Sequence, residues 1–121
     1  MVTFTPKKTH DFERDVARAY TLQSKEYFEK GQAIKVDILF GMPIPKTVTK
    51  KRRNDMINGV ERHTKKSDLD NLVKAVLDGL NGVAYEDDAQ IVMIAARKFY
   101  SVNPHIEIRI RPDTNGGKNE K

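Results

Sequence analysis

Cysteine does not occur in the 121 residues, which removes disulfide frameworks, thiolate metal sites and cysteine nucleophiles together and leaves the redox compartment open. No stretch approaches the ~18 apolar residues of a membrane span, and the amino terminus, "MVTFTPKKTHDFERD", lacks the apolar core of a signal peptide. A cytoplasmic protein without membrane contact is therefore expected. No internal repeat is present. With 38% hydrophobic and 32% charged residues, the chain has the balance of a globular protein with a heavily charged surface. Its length suits one domain, expected over residues 1–111, with a disordered polar tail over 112–121.

Charge of one sign is concentrated. Between residues 46 and 66 lie Lys46, Lys50, Lys51, Arg52, Arg53, Arg62, Lys65 and Lys66 against only Asp55 and Glu61, a local surplus larger than the net +5 of the whole chain. A field of this kind attracts a polyanion, and nucleic acid is the usual one. A solvated basic loop without a partner has the same composition.

Periodicity gives the elements. Phe12, Val16, Ala19, Tyr20, Gln23 and Tyr27 recur at helical spacing, which predicts a helix over 9–30, capped by Thr9 and ended at Gly31. "AIKVDILF" (33–40) alternates Ile34, Val36, Ile38 and Phe40 against Lys35, Asp37 and Leu39, as a strand with one buried face does. Residues 46–67 read as a mobile basic arm with a short helix near 47–56. Leu69, Leu72, Val73, Val76, Leu77 and Leu80 define an amphipathic helix over 69–80, closed by Asn81 and Gly82. "AQIVMIAARKFY" (89–100) and "PHIEIRIR" (104–111) read as two antiparallel neighbouring strands. The expected class is α+β, a small mixed sheet with helices over one face.

Five carboxylates surround the second helix: Asp68, Asp70, Asp78, Asp87 and Asp88. Asp70, Lys74 and Asp78 share one helix face, so a solvent-facing salt-bridge row is one reading. Asp68 or Asp70 serving as an N-terminal cap is another. Neither reading accounts for Asp87 and Asp88, where a strand begins and could return to the same end of the helix. Oxygen ligands converging beside a lysine and a basic arm suit Mg²⁺, which takes a few carboxylates plus water and phosphate oxygens and activates water on a phosphodiester. Lys74 would then stabilise charge on the leaving oxygen. A calcium loop is excluded, because Val73 stands where that loop requires glycine. An aspartyl-phosphate motif is excluded as well, because this Asp-x-Asp follows "ERHTKKS" rather than an apolar strand.

The stretch "KSDLDNLVKAVLDGLNGVAYEDDAQIV", with "MPIPK", "RHTKK" and "FTPKKTHDFE" before it, resembles the RusA family of Holliday junction resolvases, common in phages and prophages. The resemblance spans residues 3–111. It implies a Mg²⁺-dependent endonuclease, acting as a homodimer, that places paired symmetric nicks in branched DNA such as a four-way junction during recombination and repair. By motif position, Asp68 and Asp70 of "DLDN" and Asp88 of "DDAQ" correspond to catalytic metal ligands and Lys74 to the catalytic lysine. Asp87 corresponds to a helper ligand or an element of the turn. Members of this family usually open with a strand and a proline- and arginine-rich loop before the "TPKK" region, whereas this chain opens almost at "FTPKK". A sheet lacking its first edge strand is thus expected.

The basic arm would contact the phosphate backbone, with His63 the best placed of the three histidines; His10 and His105 read as structural or surface residues. Tyr85 is expected to pack on the helix. Phe99 or Tyr100 would stack on bases or join the core. Two alternatives stay open: a catalytically inactive DNA-binding protein of the same fold, and a metal nuclease for other branched or flap nucleic acids.

Overall fold

A computed structural model of the chain describes residues 1–7 and 11–114. Strand β1 (Val2–Phe4) is followed by helix α1 (Phe12–Gln23), strand β2 (Ile34–Pro43) and helix α2 (Lys50–Ile57). Helix α3 (Leu69–Leu80), a 3-10 turn (Asp88–Gln90), β3 (Ile91–Ser101) and β4 (His105–Pro112) complete the order. The four strands form one mixed sheet in the order β1-β4-β2-β3, with β2 parallel to β3 and antiparallel to β4.

Alternation in β2 does what its pattern requires. Ile34, Val36 and Ile38 are fully buried and Phe40 is 1% exposed, so their apolar surface leaves water on one face of the sheet. That face is covered by α1 through Val16 and Tyr20 and by α3 through Val76 and Leu80, with Ile106 and Ile108 contributed by β4. The two helices meet closely at Gly79. A Cβ there would lie 2.7 Å from the Val16 Cβ and 2.8 Å from the Glu13 carbonyl oxygen. The opposite face carries no helix. It presents Arg111 paired with Asp37 at 2.9 Å and His105 with Glu107 at 2.7 Å, and a shallow groove over Leu39, Ala95 and Ala96.

Several expectations change. Val2–Phe4 pairs with Ile106–Ile108, so an edge strand precedes "TPKK" after all. It is secured by Gln23, whose side-chain amide accepts from the Thr3 N–H at 3.0 Å and donates to the Thr3 carbonyl at 2.7 Å. The first helix ends at Gln23, well short of residue 30: Ser24 is extended, and the Tyr20 hydroxyl, donating to the Glu26 carbonyl at 2.7 Å, holds the chain in a turn. Tyr27 is consequently exposed. Asp11 caps this helix, accepting from the Glu13 and Arg14 amides; Thr9 and His10 lie outside the described residues.

Strands β3 and β4 are not neighbours, because β2 runs between them. The link from Val102 to Pro104 carries the chain across β2 beside Gly41, which pairs with Phe99 on one side and His105 on the other. A side chain at 41 would strike the His105 ring at 2.8 Å and the Ser101 Cβ at 3.1 Å, so only glycine admits the crossing. At the carboxyl end, Pro112 belongs to β4 and the Asp113 amide donates to the Ala33 carbonyl at 2.9 Å. The rest of the expected tail, 115–121, lies outside the described residues.

The basic arm contains the expected short helix, shifted to Lys50–Ile57. Thr49 caps α2 by accepting from the Arg52 amide, and Met56 is only 2% exposed. Arg52 grips Glu61 through two nitrogens at 3.2 and 2.7 Å.

Candidate active site

Helix α3 begins at Asp68, whose carbonyl accepts from the Leu72 amide at 3.1 Å. Its carboxylate makes no capping hydrogen bond, so the capping explanation for this residue falls away. Asp70, exposed on the first turn, accepts through Oδ1 from the Asn71 amide at 2.9 Å and keeps its second oxygen for other partners. Lys74 pairs with Asp78 at 3.2 Å rather than with Asp70. The lysine side chain is 73% exposed, and such a surface pair holds weakly enough for the ammonium to take another anion.

The second acidic pair splits in role. Asp87 caps the 3-10 turn, accepting from the Ala89 amide at 3.2 Å in a capping box completed by Gln90. That gives it a place in the turn. Gln90, one residue of the motif to which the sequence reading assigned no role, is the staple of the region and is 6% exposed. Its Oε1 accepts from the Glu86 and Asp87 amides at 3.0 and 2.9 Å. Its Nε2 donates toward the carbonyls of Phe28, Glu29 and Gln32 at 2.8–3.1 Å. The signal was legible as the Asp-x-x-Gln spacing of a capping box.

Asp88 stays exposed and faces Tyr85. Tyr85 is fully buried against α3, as expected, with its hydroxyl donating to the Leu77 carbonyl at 2.8 Å. Burial, and then the Asp88 carboxylate, push its phenol far above the ordinary range, so it acts as a neutral donor at any physiological pH.

Asp68 and Asp70 sit at the start of α3, and Asp88 lies beside Tyr85, whose hydroxyl donates to the Leu77 carbonyl. Among the described residues, no three His, Asp or Glu side chains gather as they would around one metal ion. Mg²⁺ does not demand such a cage, since it is usually held by one or two carboxylates plus water and substrate phosphates. The donors at the start of α3, one carboxylate free of capping and one with a free oxygen, fit that requirement.

Beside this helix lies the basic segment. Lys51 is paired with Asp55 and Arg52 with Glu61. Lys46, Lys50, Arg53, Arg62, Lys65 and Lys66 are exposed and have no ion pair among the described residues. His63 packs its ring edge-on against Tyr100 with centroids 4.9 Å apart, and burial and then the nearby Lys98 lower its pKa. Tyr100 is buried and joins that contact, whereas Phe99 lies under Arg97 at 5.6 Å on the open face. Lys98, another residue the sequence reading left aside, reaches from β3 to the Lys65 and Ser67 carbonyls at 2.9 and 2.8 Å. Among the described residues, no helix is long and apolar enough to cross a membrane.

Comparison with known proteins agrees with this arrangement. The chain is 37% identical over 108 residues to the uncharacterized protein YqaN of Bacillus subtilis (strain 168), covering 88% of this chain and 75% of that protein. Residues 2–111 match the family described as "Endodeoxyribonuclease RusA". With that match spanning nearly the whole chain, the chain belongs to the RusA endodeoxyribonuclease family.

Proposed function

We propose that this chain is a Mg²⁺-dependent, structure-selective endonuclease that resolves four-way DNA junctions by paired symmetric cleavage. It would act as a cytoplasmic homodimer in recombination and repair, with residues 1–111 as one nuclease domain. The observation that carries the reading is the Asp68 carboxylate, which stands at a helix start and does no capping. With Asp70 beside it and unpaired cations on the adjoining segment, a structural role does not account for it. A protein that only bound DNA would gain nothing by turning free carboxylates toward a polyanion.

In this reading Asp68 and Asp70 would hold the metal, with Asp88 as the third carboxylate of the motif. A Mg²⁺ bound there would supply an activated water and neutralise charge on the phosphodiester. Hydrolysis adds water at phosphorus, breaks one P–O ester bond and leaves the departing oxygen protonated. Lys74 leaves its exposed partner Asp78 to stabilise charge on that oxygen. Lys46, Lys50, Arg53, Arg62, Lys65 and Lys66 contact phosphates and position the DNA without reading bases. Lys51 and Arg52 serve first as braces of α2.

That no three His, Asp or Glu side chains gather around one point among the described residues favours one second reading, a DNA-binding protein of the same fold without catalysis. A single experiment separates the two. A labelled synthetic four-way junction, a matching duplex and a flap are incubated with the protein, with Mg²⁺ or with EDTA. Paired nicks in the junction alone, dependent on Mg²⁺, are expected. Tight junction binding without cleavage would contradict the nuclease reading, and preferential flap cutting would move it to other branched substrates.

A further inference from the structure

Lys98 lies on the helix-covered face of β3, opposite Phe40 of β2. It is half-buried and has no acidic partner among the described residues. Its ammonium instead donates to two backbone carbonyls, those of Lys65 and Ser67, at 2.9 and 2.8 Å. These are the only hydrogen bonds among the described residues that hold segment 64–67 to the sheet. Ser67 immediately precedes Asp68, so the tether ends one peptide unit before the first carboxylate of the site.

The energetics give this contact weight. A hydrogen bond from a charged donor contributes more than a neutral one, and Lys98 makes two of them. Two carbonyls that bracket a turn satisfy it and fix the turn in the same act. The Asp68 carboxylate takes no capping bond, so its place is set by the backbone alone: the Leu72 amide bond to its carbonyl on one side and the Ser67 segment on the other.

We propose that Lys98 is a positioning residue: by clamping the Lys65 and Ser67 carbonyls to β3 it fixes the segment that enters α3 at Asp68, and with it the ability of Asp68 and Asp70 to act together. The catalytic part of this statement rests on the nuclease reading. The clamp itself does not. Because Lys65 also belongs to the unpaired basic surface, the same contact ties the DNA-contacting segment to the carboxylates it serves.

The test compares wild type with Lys98→Met, which keeps the aliphatic stem, and Lys98→Arg, which keeps the charge and enough donors for both carbonyls. Amide hydrogen exchange reports the clamp. Single-turnover cleavage of a labelled four-way junction in Mg²⁺, with junction binding measured separately in Ca²⁺, reports the consequence. Lys98→Met is expected to speed exchange in a peptide covering residues 65–72 while β1 and β4 peptides keep wild-type protection. The cleavage rate should fall about 10- to 100-fold with junction affinity held within about threefold, as for loss of an outer-shell partner of a metal ligand. Lys98→Arg should restore most of both. Unchanged exchange at 65–72, a uniform rise across the molecule, or a cleavage rate within about twofold of wild type would overturn the proposal. A wild-type protein that does not cut junctions would sink the nuclease reading and the catalytic part with it, while the exchange pattern still decides whether Lys98 holds the segment.

Discussion

Asp68 and Asp70 open α3, and Asp87 and Asp88 open the turn into β3; two aspartates at a helical start occur in both places. At the second, the chain builds a true cap: Asp87 accepts from Ala89, and Gln90 closes the box while binding the carbonyls of residues 28, 29 and 32. At the first, the residue in the capping position accepts nothing through its carboxylate. A carboxylate at a helix start is therefore not a cap by default. At the second site an Asp and a Gln do the capping, and the acid left over at each site, Asp68 or Asp88, remains exposed.

The sharpest way to break this comparison is to neutralise the first pair. Asp68→Asn or Asp70→Asn should lower junction cleavage at least about 100-fold, beyond what outer-shell changes cost, while circular dichroism and melting stay near wild type. Unfolding of these variants would return the pair to a structural role. Next in size is Gln90→Ala, which strips partners from the Glu86 and Asp87 amides and from three carbonyls. Removing a buried amide that satisfies several backbone groups should cost about 2–4 kcal/mol in urea unfolding, whereas retained stability would show that water replaces it.

The basic segment sharpens the contrast between held and free groups in the same way. Arg53→Gln should reduce the dependence of log affinity on log salt by about one. Arg52→Gln, which removes a brace to Glu61, should mainly speed amide exchange in α2. Equal changes in salt dependence from both would show that Arg52 also leaves its partner for phosphate. The smallest effect concerns His105, whose ring lies between the Asn103 carbonyl at 2.6 Å and Glu107 at 2.7 Å. The carbonyl bond first, and then Glu107, raise its pKa. A raised folded-state pKa stabilises fully below the unfolded value of about 6.5, and the gain is lost as pH rises through the folded value. Stability should thus decline slightly from mildly acidic to mildly alkaline pH, and His105→Gln should flatten that decline.

Much of this was legible in the chain. The alternation in β2 and the 0, 3, 4, 7, 8, 11 spacing in α3 report burial directly, because a side chain's face is fixed by strand and helix period. The motif carboxylates could be named from spacing and resemblance. Sheet order could not. A three-residue link between two strands looks like a hairpin, and nothing local reveals that β2 claims the centre and that Gly41 leaves room for the crossing. The end of α1 depended on a tertiary hydroxyl contact from Tyr20. The roles of Lys98 and His63 were hidden for the same reason. A lysine bonded to carbonyls 31 and 33 positions away and a histidine set against Tyr100 look in sequence like any other basic residues.

The account turns on adjacent residues with opposite duties, so the most direct measurement is the single-turnover junction cleavage rate of Asp87→Ala and Asp88→Asn, side by side in Mg²⁺, with a melting curve for each. Asp87→Ala is predicted to lose about 1 kcal/mol of stability, the usual cost of a lost cap, and to keep a cleavage rate within a few-fold of wild type. Asp88→Asn is predicted to keep its melting curve and lose cleavage. The reverse pattern, or equal loss of cleavage in both, would contradict the division of labour on which the proposed site rests.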